Sequence, residues 1–144
     1  MDAARGMLLD LVRDMPGNPG VAYQCAWVHD SMGRQREAIP LYERAISQGL
    51  SGEDLEGAIL SLGSSYRAAG DPGKAAMVLR EGVARFPMNR AMEVFLAMAL
   101  HDLREHAEAT ALLLRIIAAT SSDTGIASYK AAISFYADRL HETP

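Results

Sequence analysis

The sequence predicts an all-α chain: an α-solenoid of antiparallel helix hairpins with a capping helix at each end, about eight helices in a single domain over residues 1–144. Three observations predict it. Apolar residues recur at helical spacing along the chain, and no segment alternates with period two. The stretch from Leu62 to Ala75 places Leu62, Gly63, Tyr66, Gly70 and Ala75 at offsets 0, 1, 4, 8 and 13, with Pro87 following. The same register can be laid over both flanks at spacings of 37 and 34 residues, and a period of about 20 to 50 residues decides an architecture before any single motif does.

Taken in order, residues 1–16 read as an N-terminal helix, with Asp2 placed to cap Ala3 to Met15 and with Met7, Leu8, Leu11, Val12 and Met15 on its apolar side. That side is expected to cover the open end of the first hairpin. Repeat one spans 19–52, with Ala26 at the position of Gly63 and Ala38 at that of Ala75. Its turn is Gly33-Arg34-Gln35-Arg36, and Ile39, Leu41, Tyr42, Ala45 and Ile46 form the inner face of its second helix. Pro40 removes a backbone donor inside that helix and predicts a kink or a late start. The loop Gly49-Leu50-Ser51-Gly52 absorbs the three extra residues of the longer spacing.

Repeat two spans 53–88. Leu62 and Tyr66 share one helical face, Gly63 lets a second helix approach closely, and Gly70 ends the first helix. Asp71 suits an N-cap and Pro72 the first helical position, so a second helix starts at once, with small Ala75 at the contact and Val78, Leu79 and Val83 facing inward. Repeat three, 89–122, has Ala97 and Ala109 in register, a turn Arg104-Glu105-His106 without glycine, and then Leu112, Leu113, Ile116 and Ile117. Residues 123–144 form the C-terminal cap: Ser122 or Asp123 starts a helix near Ile126 to Leu140 whose buried side is Ile126, Tyr129, Ile133, Tyr136 and Leu140. Tyr66, Leu79 and Leu113 are expected to be buried between repeats.

Composition narrows the function. A net charge of −4 with basic residues scattered among acids offers no basic stripe for a phosphate backbone, so nucleic acid is not an expected partner. Thr110 and Arg115 interrupt the apolar stretch Ala109 to Ala119, and no run approaches the roughly 18 residues that span a bilayer. Asp10, Arg13 and Asp14 break the only candidate signal core, and a single cysteine, Cys25, makes no internal disulfide. These features fit a cytoplasmic setting with no membrane partner.

The spacing in Leu62 to Ala75 resembles a tetratricopeptide repeat. The runs Glu37-Ala38-Ile39-Pro40-Leu41-Tyr42, Gly49-Leu50 and Phe95-Leu96-Ala97-Met98-Ala99-Leu100-His101-Asp102-Leu103 resemble a bacterial family of small stand-alone tetratricopeptide proteins, over roughly residues 18 to 120. The resemblance implies a three-repeat solenoid with a protein-interaction role and no assigned chemistry. Departures fall in repeat one, where Cys25 and His29 stand at the positions of Leu62 and Tyr66, and in repeat three, where Leu100 stands at that of Tyr66 and Glu93 fills an early position usually taken by a large apolar residue.

Candidate chemistry is thin. His29-Asp30 and His101-Asp102 invite comparison with metal-dependent hydrolases, but His29 aligns with Tyr66 whereas His101 falls one position later, so the pairs are not equivalent. Cys25 lies one helical turn from His29, a nucleophile and base spacing, yet it aligns with core Leu62. Gly70-Asp71-Pro72-Gly73 joins helices and is no phosphate cradle. No enzyme activity, metal or cofactor is expected.

The first helix of each hairpin lines the concave side of such a solenoid. By register the groove carries Tyr23, Trp27 and Asp30, then Leu60, Ser64 and Arg67, then Val94, Met98 and His101. Trp27, the only tryptophan, either stands open there as an anchor or is covered by the terminal helix. Tyr23, Gln24, Trp27, Gly57 and Ser61 occupy positions where carboxylate-clamping domains place Lys and Asn, so a chaperone terminus is a poor fit. Asp30, Arg67 and His101 form a row in which Arg67 can reach Asp30 and orient a partner. The expected role is to bind a peptide or helix of another protein in this groove. The second reading is a self-associating structural protein, a homodimer with no peptide ligand.

Overall fold

The computed structural model describes residues 2–142. Nine helices follow one another among them, with no strand: α1 (Asp2–Asp14), α2 (Pro19–Ser31), α3 (Gln35–Ser47), α4 (Gly52–Ala68), α5 (Pro72–Arg85), α6 (Arg90–Asp102), α7 (His106–Thr120), α8 (Thr124–Ser128) and α9 (Lys130–Ala137). Each helix packs on the next, and α2, α4 and α6 also touch in sequence to make a continuous row. This is the stacked arrangement of an α-solenoid.

One backbone device closes all three hairpins. After α2, α4 and α6 the chain turns through a left-handed residue, Gly33 (φ 74°), Gly70 (φ 89°) and Arg104 (φ 62°). In each, the next amide bonds back to a carbonyl five residues earlier: Arg34 to His29, Asp71 to Tyr66 and Glu105 to Leu100, all at 2.9 Å. This is the Schellman closure, for which glycine is favoured because it has no Cβ to strain. The third hairpin makes the same turn with an arginine.

Asparagine or aspartate side chains cap four of the helices, α2, α5, α6 and α8. Asp71 accepts from the Lys74 amide at 3.0 Å, with Pro72 as the first helical residue, and Asp123 accepts from Ile126 at 3.0 Å. Asn18 and Asn89 cap α2 and α6 in the same way. Asp2 is itself the first described residue of α1, and the position before it lies outside the described residues. Pro40 does not delay α3, which begins at Gln35 and runs through it to Ser47. Pro40 and Arg36 are both exposed, so the Arg36 carbonyl that loses its helical donor faces water.

Small residues set the distance between paired helices. Ala26, Ala38, Ala75, Ala97 and Ala109 are all buried, and a Cβ added to Gly63 would lie 2.4 Å from Leu79 Cγ. Leu79 therefore sits directly over the backbone of α4. Two apolar clusters result, one around Tyr42, Leu55, Ile59 and Met92, the other around Leu79, Leu96 and Leu100, with Tyr66 packed against both.

The ends depart from expectation. The last helix is not continuous: Thr124, Gly125 and Ser128 are weak helix formers, Ser128 bonds back to the Thr124 carbonyl, and the chain bends at Tyr129 before α9. That break makes nine helices in place of about eight. Tyr129 and Tyr136 are exposed, not buried, while Ile126, Ile133 and Leu140 are half-buried. Leu113, expected in the core, is 39% exposed because α9 packs on α7 and reaches neither α6 nor the groove side of α7. Tyr66 is half-buried instead of buried. At the other end α1 packs on α2, reaches α3 only through the Arg5–Glu37 ion pair at 3.3 Å, and has no buried residue; Leu8 and Val12 are half-covered, and Met7, Leu11 and Met15 are exposed.

Leu79→Ala should cost about 2 to 5 kcal/mol in thermal or denaturant unfolding, and Leu113→Ala distinctly less, although both leucines hold the same register position. Arg104→Gly should relieve the left-handed strain at the third turn and raise stability by about 0.5 to 1 kcal/mol, read as a higher melting temperature.

Candidate functional site: the concave face

None of the nine residues expected on the groove is buried by the packing of the hairpins. Trp27 and His101 are exposed, and Tyr23, Asp30, Leu60, Ser64, Arg67, Val94 and Met98 are half-covered. Trp27 stands open, 51% exposed, since α1 does not fold over it. Helical period explains the sorting. Ala26 and Cys25 are buried against the neighbouring helices, Trp27 faces outward, and Tyr23 leans from the same side toward α4, packed against Tyr42 and the core.

The nine do not form one site. Tyr23, Gln24 and Trp27 of α2 meet Asp54 of α4 around a recess of about 270 Å3. Gly57 is what lets Tyr23 lie across α4, because a Cβ there would come within 2.6 Å of the phenol oxygen. Arg67, Val94, Met98 and His101 gather instead around a second recess, of about 360 Å3, between α6 and α7. Leu60 and Ser64 lie in neither. The second recess also takes in His106, Thr110 and Leu113 of α7, which lie outside the first-helix register from which the groove was read.

The expected charged row is broken. Asp30 accepts a hydrogen bond from the Tyr42 hydroxyl at 3.0 Å and is not Arg67's partner. Arg67 turns the other way, with Nε 2.6 Å and Nη2 3.4 Å from the two carboxylate oxygens of Asp102. His101 remains beside it, its ring 4.9 Å from that of His106.

A family model described as Tetratrico peptide repeat matches residues 19–140. The chain belongs to the tetratricopeptide repeat family. No curated protein matches it. The match begins at the first residue of α2, so α1 lies outside the matched span. The family is one of protein-interaction modules, typically scaffolds and not enzymes. Among the described residues, no helix of this tetratricopeptide chain is long and apolar enough to cross a membrane.

The chemistry considered at Cys25 and His29 resolves into structure. His29 is buried, its Nδ1 lies 2.8 Å from the Cys25 carbonyl, and its Nε2 lies 3.1 Å from Nε of Arg5. A carbonyl can only accept, so Nδ1 donates to Cys25 and carries a proton, while Nε2 faces the Arg5 guanidinium and, at 3.4 Å, a Glu37 carboxylate oxygen. The ring nitrogen nearest the thiol, 3.7 Å from Sγ, is thus already a donor and has no lone pair for the Cys25 proton. Burial pushes the Cys25 thiol above its ordinary pKa, with Arg5 opposing, so the thiolate is disfavoured. Among the described residues of this tetratricopeptide solenoid, no three metal-ligating side chains gather, and His29 and His101 lie on α2 and α6, outside any common cluster.

Tyr66 donates to Glu43 across the first two hairpins, and burial followed by that bond pushes its hydroxyl up to about 12. A phenol kept neutral by the fold contributes stability that is whole below the unfolded value, about pH 10, and is lost as pH rises through 12. The melting temperature should therefore fall across this alkaline window, and fall less steeply in Tyr66→Phe.

Proposed function

We propose that the chain is a protein–protein interaction module that holds a peptide or helix of a partner protein in its concave groove, with no catalytic role. The observation that carries this reading is Trp27, a large aromatic side chain that the fold leaves half in water on the row of α2, α4 and α6. Tucked away, such a side chain would add roughly 1.5 to 3 kcal/mol to stability, so its exposure has no benefit for folding. Buried aromatic anchors dominate interface energies, and an apolar strip bounded by Asp54 at one end and by Arg67 at the other suits an amphipathic segment.

In this reading the binding positions are Tyr23, Trp27, Asp30, Leu60, Ser64, Arg67, Val94, Met98 and His101. The repeats fall at 19–52, 53–88 and 89–122, flanked by the terminal helices, and the setting is cytoplasmic. Arg67 is already paired with Asp102, so it orients a partner less than Trp27 anchors one.

The test begins with a partner co-purified from native lysate and titrated calorimetrically. Trp27→Ala should weaken its binding by about 2 kcal/mol, some thirtyfold, while leaving the melting temperature nearly unchanged. Binding equal to that of the parent would remove the groove reading.

A further inference from the structure

The third hairpin is built like the two before it, but the place where the next helix should lie is open. α4 touches both α2 and α3, and α6 touches both α4 and α5, so each hairpin is closed by the helix that follows. α9 touches α7 and the adjoining α8, and neither α8 nor α9 reaches α6. One register position records the consequence: Tyr42 and Leu79 are 0% exposed and Leu113 is 39% exposed. One turn further along, Ile46 and Val83 are half-buried while Ile117 is exposed. The result is the recess between α6 and α7, walled by Val94, Met98, Thr110 and Leu113.

The chain itself shows what such a surface accepts. α6 lays Met92, Leu96 and Leu100, spaced i, i+4, i+8, against the preceding hairpins, and all three are buried. The same spacing recurs in Met7, Leu11 and Met15, where Met15 continues α1 through its bond to the Leu11 carbonyl. These three are 67%, 41% and 44% exposed. They stand clear of α2 because Leu8 and Val12 occupy the covered face, and the other contact of α1 with its own chain, Arg5 to Glu37 of α3 at 3.3 Å, does not involve them. Asp14 flanks the stripe with a carboxylate, and the recess is lined by Arg67, His101 and His106.

We propose that the open seat between α6 and α7 receives α1 of a second copy, so that copies join head to tail. The two surfaces differ, which makes the contact heterologous and lets it propagate into a ring or an open filament. Pairing two seats about a twofold axis would instead set two concave recesses against each other, with each exposed stripe on α1 left in water. The contact lies away from Trp27 but shares Arg67, Val94, Met98 and His101 with the proposed groove, so a second copy and a partner peptide would compete at that end, and Trp27→Ala should leave self-association unchanged.

Light scattering and sedimentation of the full chain from micromolar to millimolar concentration test it. The parent's mean mass should rise with concentration. Met7→Glu removes the stripe and Leu113→Glu closes the seat, and each should weaken association about tenfold or more while melting cooperatively. Thr110→Glu, at an exposed seat position, serves if Leu113→Glu does not fold. The deciding sample is an equimolar mixture of the stripe and seat variants. One intact stripe and one intact seat remain between them, so it should give a 1:1 dimer and nothing larger. A parent that stays monomeric throughout, variants that assemble like the parent, or a mixture that forms no dimer would each overturn the proposal, and the first would leave the seat to a helix from another protein.

Discussion

The rest of the structure depends on the closeness of α4 and α5 at Gly63. The side chain of Leu79 fills the space where a Cβ would stand, with three of its carbons between 2.4 and 2.9 Å from that point. Glycine inside a helix costs about 0.5 to 1 kcal/mol relative to alanine, so the position is held against its own helical preference. What offsets the cost is that Leu79, seated this deep, reaches through to the cluster with Leu96 and Leu100 and so ties the second hairpin to the third. Ala26 and Ala97 keep the neighbouring hairpins close in the same way, with both side chains buried.

Close pairing within each hairpin also frees the opposite side of α2, α4 and α6. Positions 26, 63 and 97 carry only Ala, Gly and Ala, because a second helix rests on them, whereas the residue one further on is Trp27, Ser64 and Met98. A row without a packing duty can vary in size and polarity without unfolding the chain. Binding specificity can therefore be placed there, on a rigid frame, at little cost to stability.

Much of this was legible in the residues because it follows from local chemistry. Gly33 and Gly70 mark left-handed turns, Asp71 and Pro72 mark a helix start, and the small residues at fixed offsets mark the helix contacts. Groove positions follow from helical period alone. The remainder depends on neighbours that period does not supply. Leu113, Tyr129 and Tyr136 have the spacing of core residues, but burial needs a facing element, and the bend at Tyr129 takes that element away from α6. Arg67 could reach either Asp30 or Asp102, and the hydroxyl of Tyr42 had already engaged Asp30. Arg104 adopts the turn that glycine makes elsewhere, because the Glu105 to Leu100 bond closes the hairpin whichever residue precedes it. The caps Asn18 and Asn89 were readable and were overlooked.

The most direct measurement of the central claim is the sign of the stability change in Gly63→Ala. Helical preference by itself would raise stability by about 0.5 to 1 kcal/mol, as it should for Gly6→Ala in α1, where nothing lies within 4 Å of an added Cβ. If the contact with Leu79 governs, Gly63→Ala must displace that side chain, and the melting temperature should fall by the equivalent of about 1 to 3 kcal/mol. A Gly63→Ala protein that melts at or above the parent would show that α4 and α5 do not meet there, and the packing scheme built on that contact would be wrong.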